Sequence, residues 1–282
     1  MKEPEPGTLY VVATPIGNLE DLSPRARRIL AEVDRIAAED TRRSLALLRH
    51  FGIRTPLVSL HEHNEQARVE QVCTWLGAGE AVALVSDAGT PLISDPGYLM
   101  VRELRRRGFP VRPIPGPSAL IAALSVAGLP TDRFAFEGFL PARSAARRAR
   151  LEALAAEPRT LVFYESPRRA AASLADMAGI FGGTREAVVA RELTKVHEEI
   201  RGGTLDQLAA WAGALHEGVR GELVFVVAGA PERGEELPEA ATRLVARLLE
   251  EMPLKQAVRV AAEVTGASRN RLYDWALKKT GR

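Results

Sequence analysis

The sequence predicts an α/β protein with two α/β domains, a largely parallel sheet, and a small helical extension at the end. Three observations carry this. Continuous apolar runs such as LYVVA (9–13) and AVALV (81–85) end in Gly/Pro turns, and each is followed by a segment with a helix-start signal. That strand–turn–helix order occurs three times, with turns at 14–18, 86–91 and 115–118. After the Pro/Glu/Gly-rich stretch GAPERGEELPEA (229–240) the chain changes to short amphipathic segments. The boundaries that follow are 1–119 for a Rossmann-like first domain, 120–230 for the second, 231–240 for a linker and 241–282 for the extension.

Residues 8–14 read as the first strand. Ser23 is a good helix N-cap and Pro24 suits the first helical position. Ala26, Ile29, Leu30, Val33, Ile36 and Ala37 then recur at helical spacing, which carries the predicted helix through Ala37. A second helix follows Asp40 and stops at Gly52, so Glu39-Asp40 is expected between two helices. The strand from Ala81 ends at Ser86-Asp87; Asp95-Pro96 opens a helix that closes at Arg107-Gly108. VRPIPGPSALIAALSVAGL gives a short strand, a Pro-Gly turn and an apolar helix entered through Ser118. In the second half, TLVFYESPRR is a strand ending in Glu165, with Ser166-Pro167 as cap and first turn. EAVVARELTKVHEEIRGGTLDQ gives a strand, a charged segment and a helix capped by Thr204, with Gln207 in capping-box position. GELVFVVAGA is the last strand. In the extension Ala257, Val260, Ala261 and Val264 form one apolar face, and Leu272, Trp275 and Ala276 lie on the next helix. Two short helices about a Gly-containing turn suit a helix-turn-helix-like unit or a small packing domain.

With 46% hydrophobic and 26% charged residues this is a globular composition. No apolar run approaches a membrane span, and no apolar stretch precedes the first strand, so a cytoplasmic location is expected. The single cysteine, Cys73, excludes an internal disulfide and a cysteine metal cluster. His61 and His63 around Glu62 alternate without a marked third ligand, so no metal site is expected. Net charge is only +2. The arginines nevertheless bunch, at 25/27/28, 42/43, 105–107, 143/147/148/150 and 168/169. Such blocks are either solvated helix faces or an attractant for a polyanion such as RNA, and charge alone does not choose.

Proline fixes the backbone in the three turns while glycine permits close approach, which together suit a rigid, amide-lined pocket. GxxxxGK[ST] and GxGxxG are both absent, which argues against a P-loop and an ordinary dinucleotide site. A ligand with little phosphate, presenting an adenosine and a small charged group, fits better. Acids and bases gather at strand ends: Glu39, Asp40, Asp87, Asp95 and Glu165, and the cluster Glu192, Lys195, His197, Glu198 and Glu199 in ELTKVHEE. Asp40, Asp95, Ser118 and Ser166 also read as plain helix caps. No GxSxG or Cys-His pattern supports hydrolysis.

The motifs LYVVATPIGNLEDLSPRA, AEDTR, LVSDAGTPLISDPG, PIPGPSA, FEGFLP, FYESPRR and ARELTKVHEE, in this order, closely resemble the bacterial small-subunit (16S) ribosomal RNA 2'-O-methyltransferases that modify a cytidine in the decoding region. That family belongs to the tetrapyrrole-methylase-like superfamily. The resemblance spans nearly the whole chain and includes the small helical tail. It implies S-adenosylmethionine as cofactor, bound in a cleft between the two α/β domains, and a homodimer. Pro15 and Gly17 would face that cleft. Asp87, Ala88, Gly89, Thr90 and Pro91, with Ser118, would hold the methionine and ribose parts. Tyr164, Leu193 and Ala228 are expected near the adenine.

Transfer to a ribose 2'-oxygen requires in-line approach and loss of the hydroxyl proton. The expected catalytic residues are Glu165, Lys195 or Asp95 beside the oxygen, with Asp40 or Glu39 orienting the ribose; Lys195 acts as a base only with a lowered pKa. Asn18, Arg42, Arg43, Arg168 and Arg169 are expected on the RNA, with Arg259, Arg269 and Arg271 extending the track through the tail. The expected partner is 16S rRNA within the assembled small subunit. A small-molecule (tetrapyrrole-like) methyltransferase is the alternative, and a non-catalytic RNA-binding protein is the reading from another class.

Overall fold

The computed structural model describes residues 4–60, 65–215, 218–231 and 237–280. The chain divides into two compact units, Met1–Gly229 and Ala230–Arg282. His61, Glu62 and His63 lie outside the described residues.

The first unit opens with five parallel strands: β1 (Leu9–Val12), β2 (Arg35–Ala38), β3 (Leu57–Ser59), β4 (Val82–Val85) and β5 (Val111–Ile114), in the order β3-β2-β4-β1-β5. Helices α1 (Pro24–Glu32), α2 (Thr41–His50), α3 (Glu65–Gly77) and α4 (Tyr98–Arg106) connect them. All four residues of β4 are buried, as a central strand covered on both faces requires. One face packs Tyr10, Val12 and Ile36 against Ile29, Leu30 and Leu48; the other packs Leu9, Ala37 and Leu84 against Val72, Met100 and Leu104. Because β4 returns between β1 and β2, the turns after β4, β1 and β5 stand side by side at the carboxyl edge of the sheet, where open α/β sheets bind ligands.

Helix α5 (Ala119–Ala127) leads into a second sheet of β6 (Phe134–Phe139), β7 (Thr160–Glu165), β8 (Glu186–Arg191), β9 (Glu199–Thr204) and β10 (Leu223–Val227), ordered β6-β7-β10-β8-β9. Only β6 and β7 pair in parallel; β10 runs antiparallel to β7 and β8, and β9 antiparallel to β8. Helices α6 (Ser144–Leu154), α7 (Ala170–Phe181) and α8 (Leu205–Ala214) cover one face through Leu151, Leu174, Met177 and Leu208 around Phe163 and Phe225. The other face packs Val162, Val188 and Val224 against Leu120, Ala123 and Leu124 of α5. Through α5, the element that leaves the first sheet becomes core of the second.

The second unit holds α9 (Glu239–Leu248), α10 (Leu254–Thr265) and α11 (Arg269–Thr280) around Ala241, Val245, Val258, Ala261, Leu272 and Ala276. Gly266, at φ 70°, closes α10 in left-handed geometry. The apolar face of α10 is rotated from the one expected: Val258 is in the core, while Val264 is 70% exposed. None of the described helices is long and apolar enough to cross a membrane.

Several local expectations hold. Ser23 Oγ accepts the Ala26 N–H at 3.1 Å with Pro24 at the first helical position, and Asp40 caps α2. Others are corrected. The helix expected to reach Ala37 ends at Glu32, and Arg35–Ala38 is strand β2. The Asp34 carboxylate accepts the Ala81 N–H at 2.7 Å, which breaks the helix and starts the strand beside β4. Glu39-Asp40 therefore stands at a strand end, not between helices. Residues 92–97 stay a loop, and α4 begins only at Tyr98, after Gly97 at φ 119°. Ser118 and Ser166 precede their helices without a side-chain cap bond.

The Thr204–Gln207 capping box is complete, since Thr204 Oγ1 accepts the Gln207 N–H and Gln207 Oε1 accepts the Thr204 N–H at 2.9 Å. Thr204→Ala is expected to lower unfolding free energy by about 1 kcal/mol in urea titration. An unchanged midpoint would contradict a stabilising cap.

Candidate active site

The three turns expected from the sequence are joined to one another. Thr14 N–H donates to the Gly89 carbonyl at 2.9 Å and Gly89 N–H returns the bond to Thr14 at 3.0 Å, a single antiparallel bridge between the first two turns. Gly89 sits at φ 82°, and a Cβ there would lie 3.3 Å from Ile16 Cγ2. Thr90 Oγ1 donates to the Pro117 carbonyl at 2.9 Å, which brings in the third turn. A Cβ on Gly116 would stand 3.0 Å from the Ala13 Cβ, so glycine there lets the first and third turns touch.

Above these turns lies a cavity of about 310 Å3, within the size range of small-molecule sites. The first sheet contributes Ile16, Glu39, Asp87 to Thr90, Ile93 to Asp95 and Ser118; the second contributes Phe139, Tyr164, Leu193 and Glu222 to Val224. Four described non-glycine residues have left-handed backbones: Leu92 (φ 75°), Ser94 (68°), Glu192 (50°) and Thr194 (67°). All four sit in the two segments that border this cavity, where strain accompanies a fixed binding surface.

One wall is acidic. Burial pushes the Glu39 carboxyl above its ordinary pKa, and the charges of Asp95 and Asp87 push it further. Burial also raises Asp95, opposed by hydrogen bonding from Ser86 and reinforced by Asp87. Asp87 is tied down on both oxygens: Oδ1 accepts the Asp40 N–H at 2.9 Å and Oδ2 meets Arg43 at 3.0 Å. Among the described residues no group of three His, Cys, Asp or Glu side chains is arranged to hold a metal ion.

Of the expected cofactor residues, Asp87, Ala88, Gly89, Thr90, Ser118, Tyr164 and Leu193 line the cavity, as do Asp95 and Arg43. Pro15 and Gly17 do not. The side chain of Lys195 crosses Gly17 so closely that a Cβ there would overlap its Cγ, so this glycine serves packing between the two sheets. Pro91 is buried outside the lining. Ala228 lies at the far end of β10 from Leu223, its N–H donating to the Glu186 carbonyl.

Of the five residues expected to act in catalysis, Glu39 and Asp95 line the cavity, while Glu165, Asp40 and Lys195 are engaged in other contacts. Alternation along β7 turns Tyr164 toward the cavity and sends Glu165 to the opposite face. There its oxygens accept from Ser166 N–H and Ser173 Oγ, each at 2.6 Å, and pair with Arg169 at 2.6 Å. Asp40 caps α2 and forks onto Arg42, which holds its carboxyl down at about 2. Lys195 Nζ donates to Glu192 at 2.8 Å and Glu222 at 3.0 Å. Partial burial works against the charged amine, but these two carboxylates outweigh it and raise the pKa, the reverse of what a lysine base needs.

The RNA expectations divide similarly. Arg42, Arg43 and Arg169 are engaged by Asp40, Asp87 and Glu165, and Asn18 accepts the Glu20 N–H in its own turn. Arg168 is exposed. In the second unit Arg259 and Arg269 are exposed, and Arg271 is half-buried beside Asp274 and Trp275. Sequence reasoning missed Ile93, Ser94, Phe139 and Glu222 to Val224 as lining residues. Phe139 had a signal: an isolated glycine, Gly138, inside a strand pattern marks a bulge.

This arrangement, with two five-stranded sheets and a cavity over the strand ends of the first, defines a methylase-type α/β enzyme. The profile of the Tetrapyrrole (Corrin/Porphyrin) Methylases matches residues 8–209, and that of the RsmI C-terminal HTH domain matches residues 235–280. Solved structures share the fold. A uroporphyrin-III-C-methyltransferase from Thermus thermophilus superposes with TM-score 0.56 at 22% identity, covering 79% of this chain and 95% of that one. A cobalt precorrin-4 methyltransferase gives TM-score 0.59 at 16% identity over 79% and 95%. Curated relatives are far more similar. Ribosomal RNA small subunit methyltransferase I of Pseudomonas aeruginosa is 56% identical, over 98% of this chain and 99% of its own length. Its namesake from Escherichia coli O157:H7 is 52% identical over 98% and 96%. The chain belongs to the ribosomal RNA small subunit methyltransferase I family, within the tetrapyrrole methylases. Its cofactor is S-adenosylmethionine.

The residues present fit that cofactor. A cationic group suits the wall of Glu39, Asp87 and Asp95, and the apolar parts suit Ile16, Ile93, Tyr164, Leu193 and Val224. Gly89 and Thr90 bring backbone close to the cavity without bulk. Glu165, by contrast, is expected to act on stability. Glu165→Ala strands Arg169 and the buried Ser173 hydroxyl and should cost roughly 2–3 kcal/mol by denaturant unfolding. Retained stability with lost cofactor binding would reverse this assignment.

Proposed function

We propose that the protein methylates the ribose 2'-oxygen of a cytidine in the decoding region of 16S rRNA, acting as a cytoplasmic homodimer on the assembled small subunit. The observation that carries this reading is identity of 50–56% to ribosomal RNA small subunit methyltransferase I proteins over nearly the full chain. S-adenosylmethionine supplies the methyl group from a sulfonium centre. Glu39 and Asp95 supply the negative charge that favours a cation in the cavity, with Asp87 fixed beside them by Arg43. Asp95 accepts the proton of the 2'-hydroxyl. Its raised pKa brings it closer to working pH than an ordinary carboxylate, which makes it a better base. Arg168, Arg259, Arg269 and Arg271 contact RNA phosphates.

A base with a raised pKa is ionised above that value and lost below it. Turnover therefore falls as pH drops, and the fall begins above the ordinary carboxylate range. Asp95→Asn should lower kcat by about 100-fold or more and remove this acid limb. Labelled methyl transfer to small subunits, with 2'-O-methylcytidine recovered after nuclease digestion, measures both. Near wild-type turnover would eliminate Asp95 as the base, and label entering a porphyrinoid instead of RNA would replace the whole reading with the small-molecule one.

A further inference from the structure

Strand β6 carries a feature that neither the core nor the cofactor explains. Phe136 pairs with Val162, but the next partners are Gly138 with Phe163 and Phe139 with Tyr164, so Glu137 is an extra residue in the ladder. In a regular strand Phe136 and Phe139 would point to opposite faces. The extra residue restores Phe139 to the face of Phe136 and Tyr164, the face that borders the cavity. Gly138 supports the bulge at φ 65°, and Ser94 Oγ packs 3.3 Å from where its Cβ would be. Glu137 itself pairs with Arg150 of α6.

The result is a short aromatic shelf. Tyr164 meets Phe136 edge-on at 4.9 Å between centroids and Phe139 at 5.6 Å. Phe139 is 57% exposed although it lines a cavity. Leaving a phenylalanine ring open to water, and interrupting a strand ladder to do so, are both unfavourable for folding alone. A planar ligand covering the ring offsets them. The degree of exposure places Phe139 at the solvent side, where a group carried on a polymer enters, whereas the acidic wall and Leu193 lie deeper.

We propose that Phe139, supported by Tyr164, stacks the nucleobase of the nucleotide whose ribose is methylated, holding it out of its own stack so that the 2'-oxygen reaches the cavity. This rests on the assignment of RNA as substrate. Stacking on aromatic side chains is how unstacked RNA bases are commonly held, and it tolerates any base.

The test compares wild type with Phe139→Ala, Phe139→Leu and Phe139→Tyr, using purified small ribosomal subunits as substrate and calorimetry for S-adenosylmethionine. Ala and Leu should lower kcat/KM for subunits by about 10-fold to 100-fold. Tyr should retain activity within about 3-fold, because it keeps the π face that Leu lacks. Cofactor Kd should stay within about twofold in all three variants, since Phe139 lies outside the acidic wall. An equal loss of cofactor affinity would assign the shelf to the adenine and overturn the proposal. So would full activity in Ala, or Leu rescuing as well as Tyr. If wild type leaves subunits unmethylated, the rRNA assignment fails and this proposal with it; a methylating wild type matched by Phe139→Ala overturns the shelf alone.

Discussion

The reciprocal hydrogen bonds between Thr14 and Gly89 are the contact on which the site depends. They join turns that follow β1 and β4, and Thr90 and Gly116 extend the joint to the turn after β5. Each of these turns alone is an ordinary strand-to-helix connection. Bonded together they make a fixed floor, and the half-buried Asp95, Glu39 and Asp87 are held at its edge. Strain at Leu92 and Ser94 is tolerated because the loop is anchored at both ends, by the Gly89 bridge and by Gly97 packed on Leu84.

Electrostatics follow from that placement. Burial in a partly desolvated cavity disfavours ionisation, and repulsion from neighbouring acids adds to it, which is why Glu39 and Asp95 have raised pKa values. A bound cation would relieve this repulsion, so the acidic wall favours positive charge. The arginines play a different part. Arg106 and Arg107 pair with Glu103, Arg147 and Arg148 with Asp176, and Arg42 and Arg169 with the acids beside them. Blocks that look like an RNA track in the sequence are largely local ion pairs in the fold.

How much was legible beforehand can be judged from particular residues. The three turns were readable, because Gly and Pro at strand ends encode backbone geometry locally. The caps at Ser23 and Thr204 were readable for the same reason. Strand β2 was not: Ile36 to Ala38 is a short apolar run that continues a helical spacing, and only its place beside β4 makes it a strand. The antiparallel second sheet depends on β10 inserting between β7 and β8, a long-range choice with no local signature. In the site, Glu165 is visible in the sequence as a strand-end acid, but the face it points to, toward Ser173 and Arg169, is not. A one-residue bulge has the same effect on Phe139 in the opposite sense.

The joined turns hold an acidic wall against which the positive charge of the cofactor would sit. Calorimetry at pH 8 with S-adenosylmethionine and its uncharged thioether product, S-adenosylhomocysteine, isolates the sulfonium. The wild-type protein should prefer the sulfonium, and neutralising Glu39 and Asp95 together, as Gln and Asn, should reduce that preference by roughly 10-fold or more. Equal affinity for the two ligands in wild type, or a preference untouched by the double substitution, would contradict the account.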